Sequence, residues 1–124
     1  METKRKQITP ATRQFIYDKF GGCCAYCGKE LEWKDMQVDH VMPLRKGGSD
    51  TRDNMFPACR RCNHYKGTLT LEQFRETLSL IPQKLMRDSY IFKVGCDFGF
   101  WDEKPKDVKF YFELIERNGG ADNA

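Results

Sequence analysis

No stretch of this 124-residue chain comes near the roughly 18 consecutive apolar residues that a membrane span needs. The opening residues, METKRKQITP, are basic, but no apolar core of a secretory leader follows them. A reducing, intracellular compartment is therefore expected, and there cysteine pairs bind metal more often than they form disulfides. A large net charge is also missing. The formal value is +3, and a zinc ion held by four thiolates would lower it further. A nucleic-acid partner thus has to be argued from a local patch. There is no internal repeat beyond two short cysteine pairs. No thioredoxin-like βαβ pattern surrounds those pairs, which speaks against a thiol-redox protein.

What is present is 40% hydrophobic and 31% charged residues, the balance of one soluble domain with a modest core. A single domain is expected over residues 1–116, with the tail RNGGADNA, residues 117–124, disordered. Thr9 as cap, Pro10 in the first turn and Gly21-Gly22 as stop predict a helix with Phe15, Ile16 and Phe20 on its apolar face. MQVDHVMP, residues 36–43, reads as a short strand stopped by proline. LRKGGSDTRDN reads as a loop and PACRRCNHYKG as a turn leading into a helix. TLTLEQFRETLSLIP predicts a helix with Thr70 and Gln73 in a capping-box pattern and Leu71, Phe74, Leu78 and Ile81 on one face. Pro82 interrupts or restarts it. QKLMRDSYIFKVGCDFGF favours helix in its first half, while YIFKV also suits a strand. VKFYFELIE, residues 108–116, is rich in β-formers and is read as a strand.

Two C-x2-C pairs, Cys24 with Cys27 and Cys59 with Cys62, stand 31 residues apart. Two thiolates three positions apart grip one ion from a tight turn, and a second pair completes the tetrahedron. Gly28 allows the backbone turn that follows the first pair. Cys23 could replace Cys24, although Cys24 gives the two-residue spacing. Cys96 lies in an apolar context and is expected in the core. Four cysteines leave no open coordination position, so this zinc should hold the fold and perform no chemistry. Around the pairs, Arg45, Lys46, Arg52, Arg60, Arg61 and Lys66 form a basic stretch opposed only by Asp50 and Asp53.

Between and beside the pairs stand Asp39, His40, Asn54, Asn63 and His64. Each alone has an ordinary reading as a turn, cap or surface residue. Together, the stretch CAYCGKELEWKDMQVDHVMPLRKGGSDTRDNMFPACRRCNHYKG resembles the HNH endonucleases of the ββα-metal class, in their four-cysteine zinc-bound subgroup, and especially their small phage and prophage members. The resemblance covers residues 23–67. It implies an α+β fold: a ββα-metal core stapled by a four-cysteine zinc site, with an N-terminal helix and C-terminal helical plus short strand elements. It also implies one catalytic Mg²⁺ or Mn²⁺ ion, DNA as substrate, and the cytoplasm of a bacterial or phage-infected cell. Carried over by position, His40 is the general base, Asp39 and Asn63 are ligands of the catalytic metal, and Asn54 braces the loop and steadies His40.

The chemistry agrees with these roles. A neutral imidazole suits proton removal near neutral pH. Carboxylate and amide oxygens suit a hard cation. His64 is the less economical ligand, because Lys66 shares the helix face of Asn63. Arg45, Lys46, Arg60, Arg61 and Lys66 are the expected DNA backbone contacts. Adjacent strand residues point to opposite faces. Asp39 and His40 therefore require a strand end, twist or bulge at residues 39–40 if both are to serve one phosphate. A non-catalytic zinc module that binds nucleic acid or a protein would need only the cysteines and the basic stretch. It gives no reason for Asp39, His40, Asn54 and Asn63 to occur in this order.

Overall fold

A computed structural model describes residues 7–117, so the expected tail beyond residue 117 lies outside the described residues. The fold has two compact units. One is built from the chain up to Leu71 together with the segment from Lys109, and the other is Glu72–Val108. Among the described residues, no helix is long and apolar enough to cross a membrane.

The first unit is organised around a two-stranded antiparallel hairpin, β1 (Gln37–His40) and β2 (Met55–Ala58). Helix α1 (Pro10–Asp18) precedes it, and Thr9 caps α1 by accepting from the Thr12 amide. Ile16 is fully buried, but Phe15 is outward, half exposed beneath the cations of Lys19 and Arg52. Lys19 Nζ donates to the carbonyls of Arg52 and Met55 at 2.7 and 2.8 Å, which ties the end of α1 to the hairpin. Helix α2 (Arg60–Lys66) follows β2 directly and packs on β1. This ββα arrangement agrees with the α+β expectation.

The second unit holds most of α3 (Leu71–Ser79), then α4 (Ile81–Asp88) and α5 (Tyr90–Asp97). Pro82 stands in the first turn of α4 and so restarts a helix, because its missing N–H costs nothing there. YIFKV is helical, and Ser89 caps α5 by accepting from the Phe92 amide. Cys96 is only half buried, so its expected core position is corrected.

The strand expected over 108–116 is not formed. Instead α6 (Tyr111–Arg117) starts there. Glu113 reaches back to accept from the Phe110 amide at 2.9 Å, a local cap that outweighs the β propensity of the aromatics. The β-formers serve packing: Phe110 and Phe112 join Tyr26, Phe56 and Phe20 in one aromatic cluster. Backbone bonds from Tyr111 and Phe112 to the carbonyls of Tyr26 and Ala25 seat this segment on the first cysteine turn.

Candidate functional site

Cys24, Cys27, Cys59 and Cys62 converge, with all four sulfurs within 4.8 Å of one another. Cys27 and Cys59 Sγ lie 3.9 Å apart, close to the ~3.8 Å separation expected of thiolates about 2.3 Å from one tetrahedral zinc. The donor set therefore fits a closed structural zinc site. Cys23 stands outside it, paired across a bridge with Glu30, so Cys24 is the member of the set. The Cys24 thiol is pulled down to about 4, chiefly by the sulfur hydrogen bond from Cys62; that bond in turn pushes the Cys62 thiol up. Gly28 has φ +82°, and a Cβ there would press on the Tyr111 ring, so both its turn and its packing require glycine. The Ala25 amide bonds the Pro57 carbonyl at 2.8 Å, and Cys59 Sγ caps α2 by accepting from the Cys62 amide at 3.3 Å. The cysteine set thus pins the first turn, β2 and α2 to one point.

β1 carries the Asp39-His40 pair. Its pairing is regular to the end, Asp39 opposite Phe56 and His40 opposite Met55, with no bulge. His40 is the last strand residue and the chain bends at Val41-Met42. Of the departures expected at 39–40, only the strand end is seen, and the alternation of the pleat sends the two side chains to different partners. Asp39, 5% exposed, accepts from the Tyr26 hydroxyl through Oδ2 at 2.5 Å. Lys66 Nζ lies 3.1 Å from the same oxygen and donates to the His40 carbonyl at 3.2 Å. Burial pushes the Asp39 carboxyl above its ordinary range, opposed by Lys66 and Tyr26. Desolvation, reinforced by Asp39, pushes the Tyr26 phenol far up, so it remains a proton donor.

His40 turns its Nε2 to Asp50 Oδ1 at 2.7 Å, and both side chains are nearly inaccessible. Among the described residues no buried side-chain nitrogen or oxygen lacks a partner. Nδ1 of His40 has no hydrogen-bond partner among the described residues, and His40 stands in the wall of a groove. Asp39 and Asn63 line that same groove, with Arg45 at its edge. His64 is exposed on α2 and is not in the lining.

Asn54 ties the loop behind His40. Its Oδ1 accepts from the Met42 amide, and its Nδ2 donates to the carbonyls of Met42 and Ser49, each at 2.8 Å. Gly48 lies so close to the Met42 carbonyl that a side chain there would overlap it. Asn54→Ala removes three hydrogen bonds and should destabilise the first unit by about 2–3 kcal/mol at the usual net value per bond. A fall in the denaturation midpoint, with faster hydrogen exchange at Met42, is the expected result.

Arg45, Lys46, Arg60 and Arg61 are exposed, as backbone contacts require. Lys66 is not: at 1% exposure it is the buried counter-ion of Asp39, and its expected place against phosphate is corrected. Lys66 follows Asn63 by three residues on α2, but its ammonium is buried against Asp39 while Asn63 lines the groove. Two residues with clear roles carry no sequence signal of their own. Asp50 reads as one acid within a basic loop, and Tyr26 as a spacer between two cysteines.

A catalytic divalent ion can be tested against these donors. Oδ2 of Asp39 is committed to Tyr26 and Lys66. Oδ1 has only a 3.4 Å contact from Lys66, and Asn63 lines the same groove. Two oxygen donors on an open groove suit a cation that keeps several waters, as Mg²⁺ does. The residues fit such an ion.

Comparison with known proteins gives a consistent picture. The profile of the family described as HNH endonuclease matches residues 24–79. A CRISPR-associated endonuclease Cas9 from Corynebacterium diphtheriae is 40% identical over 45 residues, 36% of this chain and 4% of that protein. The type IV methyl-directed restriction enzyme EcoKMcrA of Escherichia coli is 34% identical over 65 residues, 45% of this chain and 24% of that protein. Among solved structures, the type II-C Cas9 enzyme from Actinomyces naeslundii superposes with a TM-score of 0.50 at 27% identity, over 58% of this chain and 8% of that one. The chain thus spans a small part of each relative's length.

Proposed function

From the match of residues 24–79 to the HNH endonuclease family, we propose that this chain is a metal-dependent DNA endonuclease that hydrolyses phosphodiester bonds. The observation that carries this reading is the shared groove. Asp39, His40 and Asn63 come from a strand end and a helix and line one surface.

His40 acts as general base. Asp50 holds Nε2–H, so the lone pair sits on Nδ1, which takes the proton of a water attacking phosphorus. The P–O3′ bond breaks, leaving 5′-phosphate and 3′-hydroxyl ends. Asp39 and Asn63 would hold Mg²⁺ or Mn²⁺, which when bound supplies charge neutralisation at the phosphate and the leaving oxygen. Lys66 and Tyr26 position Asp39 from behind through Oδ2. Asn54 fixes the loop that carries Asp50. The four cysteines hold a structural zinc. Arg45, Lys46, Arg60 and Arg61 meet the DNA backbone, a mode that orients the duplex but reads little sequence, and affinity should fall steeply with salt.

Substitution of Asp50 separates its role from those of the other groove residues. Asp50→Ala should lower kcat about 10²-fold, the scale of a misplaced reacting group, with KM little changed. Asp50→Asn keeps an acceptor oxygen and should recover part of the loss. The hydrogen-bonded Nε2 proton should give a protected downfield NMR signal in the wild type that is absent in Asp50→Ala. Equal kcat in all three proteins would remove Asp50 from the mechanism.

The ion pair between Lys66 and Asp39 favours a second reading, a zinc module that binds DNA without cutting it. Retention of DNA with no product under any divalent metal would support that reading.

A further inference from the structure

The groove does not end at the reacting residues. It runs along β1 to a turn, Trp33–Asp35, where it is lined by Trp33, Lys34 and, from α1, Arg13, and its volume is about 1390 Å³. Trp33 is 39% exposed. It is also held still. The Arg13 guanidinium lies over the indole at 4.7 Å from the ring centroid. The same guanidinium donates to the Trp33 and Met36 carbonyls at 2.6 and 2.8 Å. One face of the indole is thus covered by a fixed cation while the ring edges the groove. The lining carries Arg13, Lys34 and Arg45 against one carboxylate, Asp39, which is paired with Lys66; the exposed Lys34 also stands 3.7 Å from Glu32, a solvent-exposed pair that leaves its ammonium reachable.

We infer that the Trp33 end of the groove is a subsite for an unpaired nucleotide of the DNA strand, its base stacked on the indole and its phosphates met by Arg13 and Lys34. Three observations converge on this ligand. A preorganised aromatic face suits any nucleobase and loses little freedom on binding. The cationic lining suits a phosphate chain. The groove is continuous with Asp39, His40 and Asn63, so one strand can occupy both ends. Duplex DNA offers no free base face, so the ligand is a single-stranded or locally opened segment. The inference rests on the DNA reading above, but it concerns binding and can be tested without cleavage.

Trp33 and Trp101 are the two tryptophans of the chain, and Trp101 lies in the second unit, stacked on Phe92. In Trp101→Phe protein with its zinc bound and no added Mg²⁺ or Mn²⁺, tryptophan emission comes from Trp33 alone. Titration with a single-stranded oligonucleotide should quench it saturably, less so at high salt, and the matching duplex should quench it weakly. Trp33→Ala should weaken single-strand affinity roughly tenfold or more, measured by anisotropy of a labelled oligonucleotide, the scale of one stacked base. Binding without quenching, equal quenching by duplex, or unchanged affinity in Trp33→Ala would each overturn the subsite. Quenching by a protein that cleaves nothing keeps the subsite and removes the nuclease reading. Cleavage unaffected by Trp33→Ala, together with unquenched emission, does the reverse.

Discussion

His40→Ala should cut DNA roughly 10²–10⁴-fold more slowly than the wild type while binding it with similar affinity. The expectation follows from where the imidazole stands. Nε2 is fixed by a 2.7 Å bond to Asp50, and His40 stands in the groove wall. No second histidine lines the groove, because His64 is exposed elsewhere on α2. The four exposed cations assigned to the backbone are untouched by the substitution, so binding should survive. The mutation also removes the 2.7 Å hydrogen bond to Asp50, and a hydrogen bond to a charged group contributes about 1.5–3 kcal/mol. The comparison therefore uses single-turnover rates with protein shown to be folded and zinc-loaded. Equal rates for wild type and variant would reject His40 as the base.

The second large effect is loss of the fold on loss of zinc. Cys24→Ser or Cys59→Ser should leave the first unit unfolded, as should a strong chelator. The physical reason is scale. Structural zinc contributes apparent free energies of about 10–16 kcal/mol, as large as the whole stability of a typical domain, about 5–15 kcal/mol. Here the same four sulfurs pin the first turn, β2 and α2, the elements that carry Tyr26, Asn63 and Lys66. Cys23→Ser and Cys96→Ser are the controls, since neither cysteine belongs to the set. Elemental analysis should give one zinc per chain for the wild type and both controls, with collapse of far-UV and near-UV circular dichroism in the other two. Retained zinc and structure in Cys24→Ser would contradict the site.

The cysteine frame was legible because its signal is local. Two residues at fixed spacing define each turn, and only the meeting of the two pairs is a matter of folding. Thr9 and Pro10, and Pro82, were legible for the same reason. Burial decided the rest. Phe15 lies about 100° around the helix from Ile16 and faces outward, where the cations of Lys19 and Arg52 cover it. Lys66 carries a charge that belongs on a surface, and only the buried Asp39 carboxylate explains why it lies inside. The aromatics of VKFYFELIE suggest a strand because β propensity records packing on a half-buried surface. Here an aromatic cluster supplies that surface without a sheet. Asp50 meets His40 across ten positions of loop, a contact that no periodicity encodes. Of the strand end, twist or bulge expected at Asp39-His40, the strand end is what forms, with regular pairing up to it. A regular strand end suffices, since each side chain finds its partner on its own face.

The central claim is that the groove of Asp39, His40 and Asn63 hydrolyses DNA with a divalent metal. Its most direct test incubates the zinc-loaded protein with supercoiled plasmid, with and without Mg²⁺ or Mn²⁺, and examines the ends. Nicked or linear product is expected only when the metal is present, with 5′-phosphate and 3′-hydroxyl ends that DNA ligase reseals. Intact plasmid under every divalent metal, from protein that demonstrably binds it, would contradict the claim.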